Sequence, residues 1–246
     1  MLRITPPGIE LAHDALFFDL DGTLADIAET PDAVRLDARM RAMLVDVARR
    51  GALAVLTGRA LADADRILEG AVDAIAGLHG LESRLAPHEW RRHERASQPL
   101  RALAARFDAS IAAGALEARL EDKGASIALH YRHAPHAETD VRAAAEAAAT
   151  EAGLRTLNGK QVIEILPQGA TKGDALRDFM QTPRFAGRRP VAVGDDVTDE
   201  SAFEAANAAG GYSVLVGPAR ATAAQYHLSS VDDVRAWLAK ALEEAR

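Results

Sequence analysis

Three absences narrow the classes of protein that this 246-residue sequence can encode. It contains no cysteine, which excludes disulfide bonds, thiolate metal sites and a cysteine nucleophile. It has no basic excess: 29 Lys and Arg face 36 Asp and Glu, and a net charge of −7 disfavours nucleic acid and anionic membranes as partners. No apolar stretch approaches the roughly 20 residues of a membrane-spanning helix, and the N-terminus has no signal-peptide pattern. We therefore expect a cytoplasmic protein.

The rest of the composition is typical of a globular protein. The chain has 48% hydrophobic and 26% charged residues, enough apolar material to bury a core. At about 150 residues per domain, the length is compatible with one or two domains.

Short apolar segments alternate with helical patterns along most of the chain. The apolar segments, each bounded by Gly, Asp or Thr, predict buried strands of a parallel sheet at 15–18, 52–56, 74–76, 191–193 and 212–216. Helical periodicity occupies 36–50, 61–68, 172–181, 198–206 and 231–241. Strands that alternate with helices predict an α/β fold, a doubly wound Rossmann-like core with a parallel sheet.

A different order interrupts this alternation. Within 92–166 a helix-strand-strand unit occurs twice, predicted at 100–113, 116–122, 126–132, 138–152, 154–157 and 162–166. Pro and Gly punctuate both junctions, near 98–99 and 167–169. We therefore predict a core domain formed by 1–91 and 167–246, with an α+β domain inserted at 92–166.

The segment ALFFDLDGTL places two carboxylates at the end of the first strand. Asp19 and Asp21 are two residues apart, so their side chains share one face, and Gly22 permits the turn that follows. Ligands bind at the carboxyl ends of parallel strands. A calcium loop fails on spacing, because it requires Gly and Glu where Leu24 and Thr30 stand. An ordinary acidic turn remains an alternative for this motif alone.

Three further motifs are predicted to reach the same sheet edge. Thr57, in LTGR, follows the second strand, where it could serve as a helix cap or face an anion. Lys172 opens a helix, which is unfavourable unless the lysine binds something anionic or is simply solvated. The segment GDDVTDE adds Asp195, Asp196 and Asp199 after the fourth strand. Helix capping explains one or two of these acids, whereas the whole cluster predicts a hard cation such as Mg²⁺.

Together these four motifs resemble those of the haloacid dehalogenase superfamily of phosphotransferases. The resemblance implies that Asp19 is a nucleophile that forms an aspartyl-phosphate and that Asp21 is the general acid and base. It implies phosphoryl-oxygen contacts from Thr57 and Lys172. The implied metal site comprises Asp19, the backbone carbonyl of Asp21, and Asp195, with Asp196 and Asp199 in support.

A narrower resemblance covers nearly the whole chain. The segments GLHGLE at 77–82, EDKGAS at 121–126 with HYR at 130–132, and GKQVIEILPQGATKG at 159–173 are similar to those of trehalose-6-phosphate phosphatases. This family hydrolyses trehalose 6-phosphate to trehalose and phosphate with Mg²⁺, and the inserted domain is its mobile cap. Ala25 and Asp26 depart from the family, in which many members carry a proline here, and we expect only a loop difference.

The resemblance also implies which residues bind the substrate. The first candidates for sugar ligands are Glu121, Lys123 and Glu164. Further candidates, including two from the TGR segment, are Gly58, Arg59, His79, Glu82, His130, Arg132 and Lys160. Because about 18 residues precede Asp19, a separate trehalose-6-phosphate synthase is expected to supply the substrate.

Other functions remain open at this point. A phosphatase or mutase for another sugar phosphate could use the same scaffold. A regulatory module with an inactive site typically lacks Asp19, Asp21 or Lys172, all of which are present. A nucleotide-binding or redox α/β protein needs a glycine-rich first turn, and residues 19–23 contain no G-x-G-x-x-G pattern.

Overall fold

The computed structural model describes residues 5–28, 30–86, 89–92, 97–159, 161–168 and 171–245. The chain divides into two units: a core unit formed by Met1–Arg91 with Thr171–Arg246, and an inserted unit formed by Arg92–Ala170. Each unit has its own sheet and apolar core. Among the described helices, none is both long enough and apolar enough to cross a lipid bilayer.

The helices and strands follow the chain in this order. The strands are β1 (Asp14–Phe18), β2 (Ala52–Leu56), β3 (Ala74–Gly77), β4 (Glu82–Ala86), β5 (Glu89–Arg92), β6 (Arg119–Asp122), β7 (Ile127–His130), β8 (Arg155–Gly159), β9 (Val162–Leu166), β10 (Arg189–Gly194), β11 (Tyr212–Val216) and β12 (Tyr226–Leu228). The α-helices are α1 (Ala38–Arg50), α2 (Leu61–Leu68), α3 (Ser97–Ala112), α4 (Glu138–Glu151), α5 (Lys172–Met180), α6 (Glu200–Ala208) and α7 (Val231–Glu244).

The larger sheet brings the ends of three strands together. Within the described residues it has eight strands in the order β12-β11-β10-β1-β2-β3-β4-β5. Strand β1 is parallel to both of its neighbours, with Phe18 opposite Val193 of β10 on one side and Val55 of β2 on the other. Because parallel strands end at the same edge of a sheet, the residues that follow β1, β2 and β10 are neighbours.

Apolar side chains cover both faces of this sheet. Leu16 and Phe18 pack with α1, α2 and α7 in one apolar cluster, whereas Ala15 and Phe17 pack with α5 and α6 in another. The Phe17 ring stacks on that of Phe185 with centroids 5.4 Å apart. Successive strand residues point to opposite faces, so the almost continuous apolar sequence of β1 reflects burial on both sides. The predicted doubly wound core is confirmed.

The inserted unit has one apolar and one polar sheet face. Its four-stranded antiparallel sheet has the order β6-β7-β9-β8. Alternate residues Ile127, Leu129, Ile163 and Ile165 are fully buried in a cluster with side chains of α3 and α4. The predicted helix-strand-strand order, occurring twice, is confirmed by α3-β6-β7 and α4-β8-β9.

The structure corrects several predicted elements. Strands β4, β5 and β12 were not predicted, and β4 is antiparallel to β3, so the larger sheet is not purely parallel. Helix α1 begins at Ala38 because Asp37 has extended backbone and serves as its N-cap. Helix α6 begins at Glu200 because a 3₁₀ turn, Val197–Asp199, precedes it. In the inserted unit, β6 begins three residues later than expected and β7 is shorter at both ends.

Candidate active site

The end of β1 carries the candidate nucleophile. Asp19 is 6% exposed, and its backbone N–H donates to the Val193 carbonyl at 2.8 Å, which extends the pairing of β1 with β10. The chain then turns sharply, with Gly22 at a φ of +78°. A Cβ on Gly22 would lie 2.3 Å from Asp195 Oδ2, so only glycine allows the acid from β10 to approach this closely.

Helix α5 delivers a buried lysine to Asp19. Its N-cap is Thr171, whose hydroxyl accepts a hydrogen bond from the Asp174 N–H. Lys172 is 3% exposed, and its Nζ donates to Asp19 Oδ1 at 2.6 Å and to Asp199 Oδ1 at 2.7 Å. Burial lowers the lysine's pKa, but the two carboxylates outweigh this effect and hold the pKa above its ordinary value. Lys172 therefore remains a buried cation.

The loop after β10 brings the other acids to this cation. A carboxylate oxygen from each of Asp19, Asp195 and Asp199 lies within 4.8 Å of the others. Asp199 Oδ2 accepts from the Asp196 N–H, and Asp196 Oδ1 accepts from the Val197 N–H, so these two acids also cap the 3₁₀ turn.

This group of acids carries more negative charge than Lys172 neutralises. Burial raises the pKa of Asp19 well above its ordinary value; Lys172 opposes this rise, and the carboxylates of Asp199, Asp195 and Asp21 add to it. Burial likewise raises the pKa of Asp195 to about 7, with contributions from Asp199 and Asp196. Carboxylates held this close are the oxygen ligands that a hard divalent cation prefers. The residues present therefore fit a metal ion.

The end of β2 contributes a hydroxyl and an arginine. Thr57 is 1% exposed, and its hydroxyl accepts from the Arg59 N–H at 3.1 Å. Arg59 Nε and Nη2 donate to the two oxygens of Asp21, each at 2.7 Å. This two-point contact fixes the plane of the Asp21 carboxylate. Sequence reasoning placed Arg59 at the substrate and did not foresee its contact with Asp21.

A left-handed turn after β3 packs against the Thr57 loop. Leu78 and His79 both have positive φ, 48° and 56°, and the His79 N–H donates to the Thr57 carbonyl at 3.0 Å. A Cβ on Gly58 would lie 2.8 Å from the His79 ring, so this glycine makes room for the imidazole. His79 and Glu82, each 7% exposed, thus lie in the core unit, and Glu82 Oε2 accepts from the Leu61 N–H.

The inserted unit groups four of the predicted sugar ligands on the polar side of its sheet. Glu121 Oε2 lies 2.7 Å from His130 Nε2, and this hydrogen bond is the main cause of a lowered pKa at Glu121. Glu164, 7% exposed, accepts from Lys123 Nζ at 3.3 Å and from the Ser126 hydroxyl at 2.5 Å.

Arg132 and Lys160 are the other two sugar ligands predicted in this unit. Arg132 follows β7 and is exposed. The prediction for Lys160 lies outside the described residues.

Sequence reasoning missed the support behind the acidic loop. Glu200, the last residue of the GDDVTDE segment, accepts hydrogen bonds from Thr222 and from the Ala223 N–H, and it pairs with Arg220. Because Glu200 directly follows the acids in the sequence, its role beside them could have been predicted. Arg220 lies in no motif, and its partners are about twenty residues away in the sequence.

The comparisons with known proteins agree with the geometry. The sequence model of the family described as Trehalose-phosphatase matches residues 17–232. A probable trehalose-phosphate phosphatase of Sinorhizobium fredii is 44% identical over 85% of this chain and 80% of its own length. The trehalose-6-phosphate phosphatase of Escherichia coli is 39% identical over 92% of this chain and 86% of its own.

Solved structures show the same fold. A trehalose-6-phosphate phosphatase related protein has a TM-score of 0.78 at 24% identity, covering 94% of this chain and 98% of its own. A haloacid dehalogenase-like hydrolase from Bacteroides thetaiotaomicron has a TM-score of 0.65 at 16% identity, covering 95% of this chain and all of its own. On the family match and the two relatives, the chain belongs to the trehalose-phosphatase family, whose members are phosphoric monoester hydrolases.

Proposed function

We propose that this protein hydrolyses trehalose 6-phosphate to trehalose and phosphate in trehalose biosynthesis, with Asp19 as the nucleophile. The observation that carries this proposal is the contact between Asp19 and Lys172 at the end of β1, in a chain of the trehalose-phosphatase family. A buried carboxylate bound by a buried ammonium is suited to attack a phosphate dianion, because the lysine offsets the repulsion between two anions.

The proposed reaction has two displacements at phosphorus. An oxygen of Asp19 attacks phosphorus while the bond from phosphorus to the sugar oxygen breaks, and Asp21 donates a proton to that oxygen, releasing trehalose. Asp21, now a carboxylate, accepts a proton from water as the water oxygen attacks phosphorus. The bond between phosphorus and the Asp19 oxygen breaks, which releases phosphate and restores the Asp19 carboxylate. Arg59 donates to both oxygens of Asp21, which suits the carboxylate that accepts the proton from water, so one of these oxygens must leave Arg59 when it carries the proton for the sugar oxygen. We assign the Thr57 hydroxyl to a phosphoryl oxygen.

We propose Mg²⁺ as the cofactor. Asp19, the Asp21 carbonyl and Asp195 would hold it, with Asp196 and Asp199 in support. When bound, the ion would neutralise charge on the phosphoryl oxygens and on the crowded carboxylates. Two observations support this assignment. Carboxylate oxygens of Asp19, Asp195 and Asp199 lie within 4.8 Å of one another, and Gly22 allows Asp195 to approach closely.

We assign substrate specificity to the inserted unit. Glu121, Lys123 and Glu164 are the proposed ligands of the sugar hydroxyls, since charged groups on a polar sheet face suit hydroxyl recognition. Further proposed substrate contacts are His130, Arg132 and Lys160 in the inserted unit and Gly58, Arg59, His79 and Glu82 in the core unit. A functional link to a trehalose-6-phosphate synthase and a cytoplasmic location belong to this proposal, because a phosphorylated sugar does not cross a bilayer unaided.

Phosphate release from a panel of sugar phosphates tests the proposed substrate. We expect kcat/KM for trehalose 6-phosphate to exceed that for sucrose, glucose and mannose phosphates. Equal or greater activity on another of these would favour the alternative, a phosphatase for a different sugar phosphate. Phosphate retained on a sugar but moved to another hydroxyl would identify a mutase.

Removal of the metal tests the cofactor. Exhaustive chelation should abolish turnover, and Mg²⁺ should restore it. Ca²⁺ should inhibit, because a larger ion can bind both oxygens of Asp19 and leave neither for attack. Full activity after chelation would contradict the metal site.

A further inference from the structure

The loop after β11 is tied to the loop that carries the acids. Glu200, at the start of α6, accepts from the Thr222 hydroxyl at 2.8 Å and from the Ala223 N–H at 2.7 Å. Its carboxylate also forms a short ion pair with Arg220 Nη1. Arg220 Nη2 donates to the Asp196 carbonyl at 2.7 Å. One guanidinium therefore connects the β11 loop, α6 and the backbone of the acidic loop.

A continuous series of hydrogen bonds leads from this arginine to the nucleophile. Arg220 holds the carbonyl of Asp196, and the N–H of Asp196 donates to Asp199 Oδ2 at 3.1 Å. Asp199 Oδ1 accepts from Lys172 Nζ at 2.7 Å, and the same ammonium donates to Asp19 Oδ1 at 2.6 Å. The backbone that Arg220 fixes is thus the one that sets the position of Asp199.

Carboxylates packed this closely repel one another, so the loop that bears them needs an external anchor. Within the described residues, Arg220 donates to the Glu200 carboxylate and to the backbone carbonyls of Asp196 and Ala221. It is placed to hold the loop's backbone from outside, which leaves the Asp195 carboxylate available to a cation and keeps Asp199 on Lys172. Groups that orient metal ligands in this way commonly alter metal affinity 10- to 100-fold when removed.

We propose that Arg220 is a positioning residue for the metal site. By holding the Asp196 carbonyl and the Glu200 carboxylate together, it keeps Asp195 close enough to bind one divalent cation with Asp19, and it keeps Asp199 in its supporting position on Lys172. This inference rests on the proposed function, because the metal site belongs to it.

The test measures cation binding directly, without substrate. Mn²⁺ binding to the intact protein, followed by electron paramagnetic resonance, gives a Kd for wild type and for Arg220→Gln. We expect Kd to rise about 10- to 100-fold in the variant. In turnover assays the Mg²⁺ concentration for half-maximal rate should rise by a similar factor, while kcat at saturating Mg²⁺ stays near wild type. The Kd of Arg220→Lys should lie between those of wild type and Arg220→Gln, because lysine keeps the charge but lacks the planar guanidinium that donates to two groups.

A matched control separates positioning from stability. Arg235 of α7 pairs with Asp37, and neither residue belongs to the acidic loop. The Arg235 side chain is 19% exposed, compared with 25% for that of Arg220. Arg235→Gln should lower Tm without changing the Kd for Mn²⁺. An unchanged Kd in Arg220→Gln, with only Tm lowered, would overturn the proposal.

Two further outcomes are informative. If Arg220→Gln does not fold, Arg220→Lys decides by the same Mn²⁺ measurement, because lysine cannot hold both groups as the guanidinium does: a raised Kd supports the proposal and an unchanged Kd rejects it. Wild-type protein that binds Mn²⁺ but does not hydrolyse trehalose 6-phosphate would contradict the proposed substrate and leave this inference standing. Wild-type protein that binds no Mn²⁺ would overturn both.

Discussion

At the scale of single residues, a buried lysine sets the electrostatics of the site. Lys172 is in contact with two acids that are themselves 6% and 2% exposed, Asp19 and Asp199. Carboxylates this deeply buried are costly to keep ionised without a partner. Because the two carboxylates hold the lysine's pKa above its ordinary value, Lys172 is charged at neutral pH. The same charge serves both folding and the proposed reaction.

Replacing this lysine should lower both the stability of the protein and its turnover. Lys172→Met leaves Asp19 and Asp199 without their shared cation, and breaking a buried ion pair on one side costs about 3–5 kcal/mol of unfolding free energy. Urea denaturation in the presence of a chelator measures this loss. Turnover should fall below detection, and Mg²⁺ should recover part of the stability because it replaces some of the missing charge. A variant as stable and active as wild type would contradict the role assigned to Lys172.

The two acids of the first motif should respond differently to the same substitution. Asp19→Asn should abolish turnover and phosphoenzyme formation, because an amide has no anionic oxygen to attack phosphorus. Asp21→Asn keeps the nucleophile and loses proton transfer, which contributes about 10²- to 10⁴-fold. An aryl phosphate, whose leaving group needs no proton, should therefore still phosphorylate Asp21→Asn. Wild-type turnover by Asp19→Asn would show that the nucleophile is another residue.

At this scale the sequence predicted which site residues lie together better than it predicted their individual contacts. Asp19 and Asp199 could be expected near one another because strand ends in a parallel sheet converge, and Lys172 could be expected beside them because a lysine at a helix start indicates an anionic partner. The pairing of Arg59 with Asp21 and the anchoring by Arg220 could not, since each depends on side-chain directions that only the folded backbone determines.

At the scale of elements, the start of α1 shows how one acid places a helix. Asp37 has extended backbone, and its Oδ1 accepts from the N–H groups of Arg39 and Met40, both at 2.9 Å. Arg235 of α7 donates to its other oxygen at 2.7 Å. The hydrogen bond from Met40 is the main cause of the lowered pKa of Asp37. These bonds explain why the helix begins at Ala38, two residues later than its apolar pattern suggests.

This cap makes a measurable, pH-dependent contribution to stability. Asp37→Ala should lower the unfolding free energy by about 1 kcal/mol at pH 7. Because the pKa of Asp37 is lower in the folded than in the unfolded state, its extra stabilisation is present above the unfolded pKa and is lost as pH falls through the folded one. The difference between variant and wild type should therefore shrink on acidification. Asp37→Asn, which keeps a capping oxygen, should lose less at pH 7, and a difference that grew at low pH would contradict the assignment.

The elements that the sequence did not predict are short and polar. β4, β5 and β12 have five, four and three residues and lie toward the two edges of the sheet. An edge strand buries less of its surface, so it needs no apolar run and leaves no clear periodic signal. The central strands are buried on both faces, and their apolar runs made them predictable.

At the scale of the whole molecule, we propose that the chemistry at phosphorus belongs to the core unit and that the main sugar ligands belong to the inserted unit. The residues proposed to act on phosphorus belong to the core unit, whereas Glu121, Lys123 and Glu164 belong to the inserted unit. A change in the inserted unit should thus affect substrates according to whether they carry the sugar. Lys123 offers the sharpest test, because Glu164 keeps its hydrogen bond from Ser126 when Lys123 is truncated.

Lys123→Ala should lower kcat/KM for trehalose 6-phosphate about ten- to a hundredfold, since it removes charge-assisted hydrogen bonds to the sugar worth roughly 1.5 to 3 kcal/mol. Part of the loss should fall on kcat, because contacts remote from phosphorus also orient the substrate. Hydrolysis of a small aryl phosphate should change little. The quantity to compare is the ratio of kcat/KM for the two substrates in wild type and variant.

A control substitution in the inserted unit separates a loss of sugar binding from a general effect of changing that unit. Arg106 pairs with Glu151 between two exposed side chains, so Arg106→Ala should leave both substrates unaffected. Equal losses on both substrates in Lys123→Ala would mean that Lys123 acts in folding or in the chemistry at phosphorus. A loss on neither would mean that its contact with Glu164 is an ion pair without a role in binding, and that the sugar is recognised by other residues.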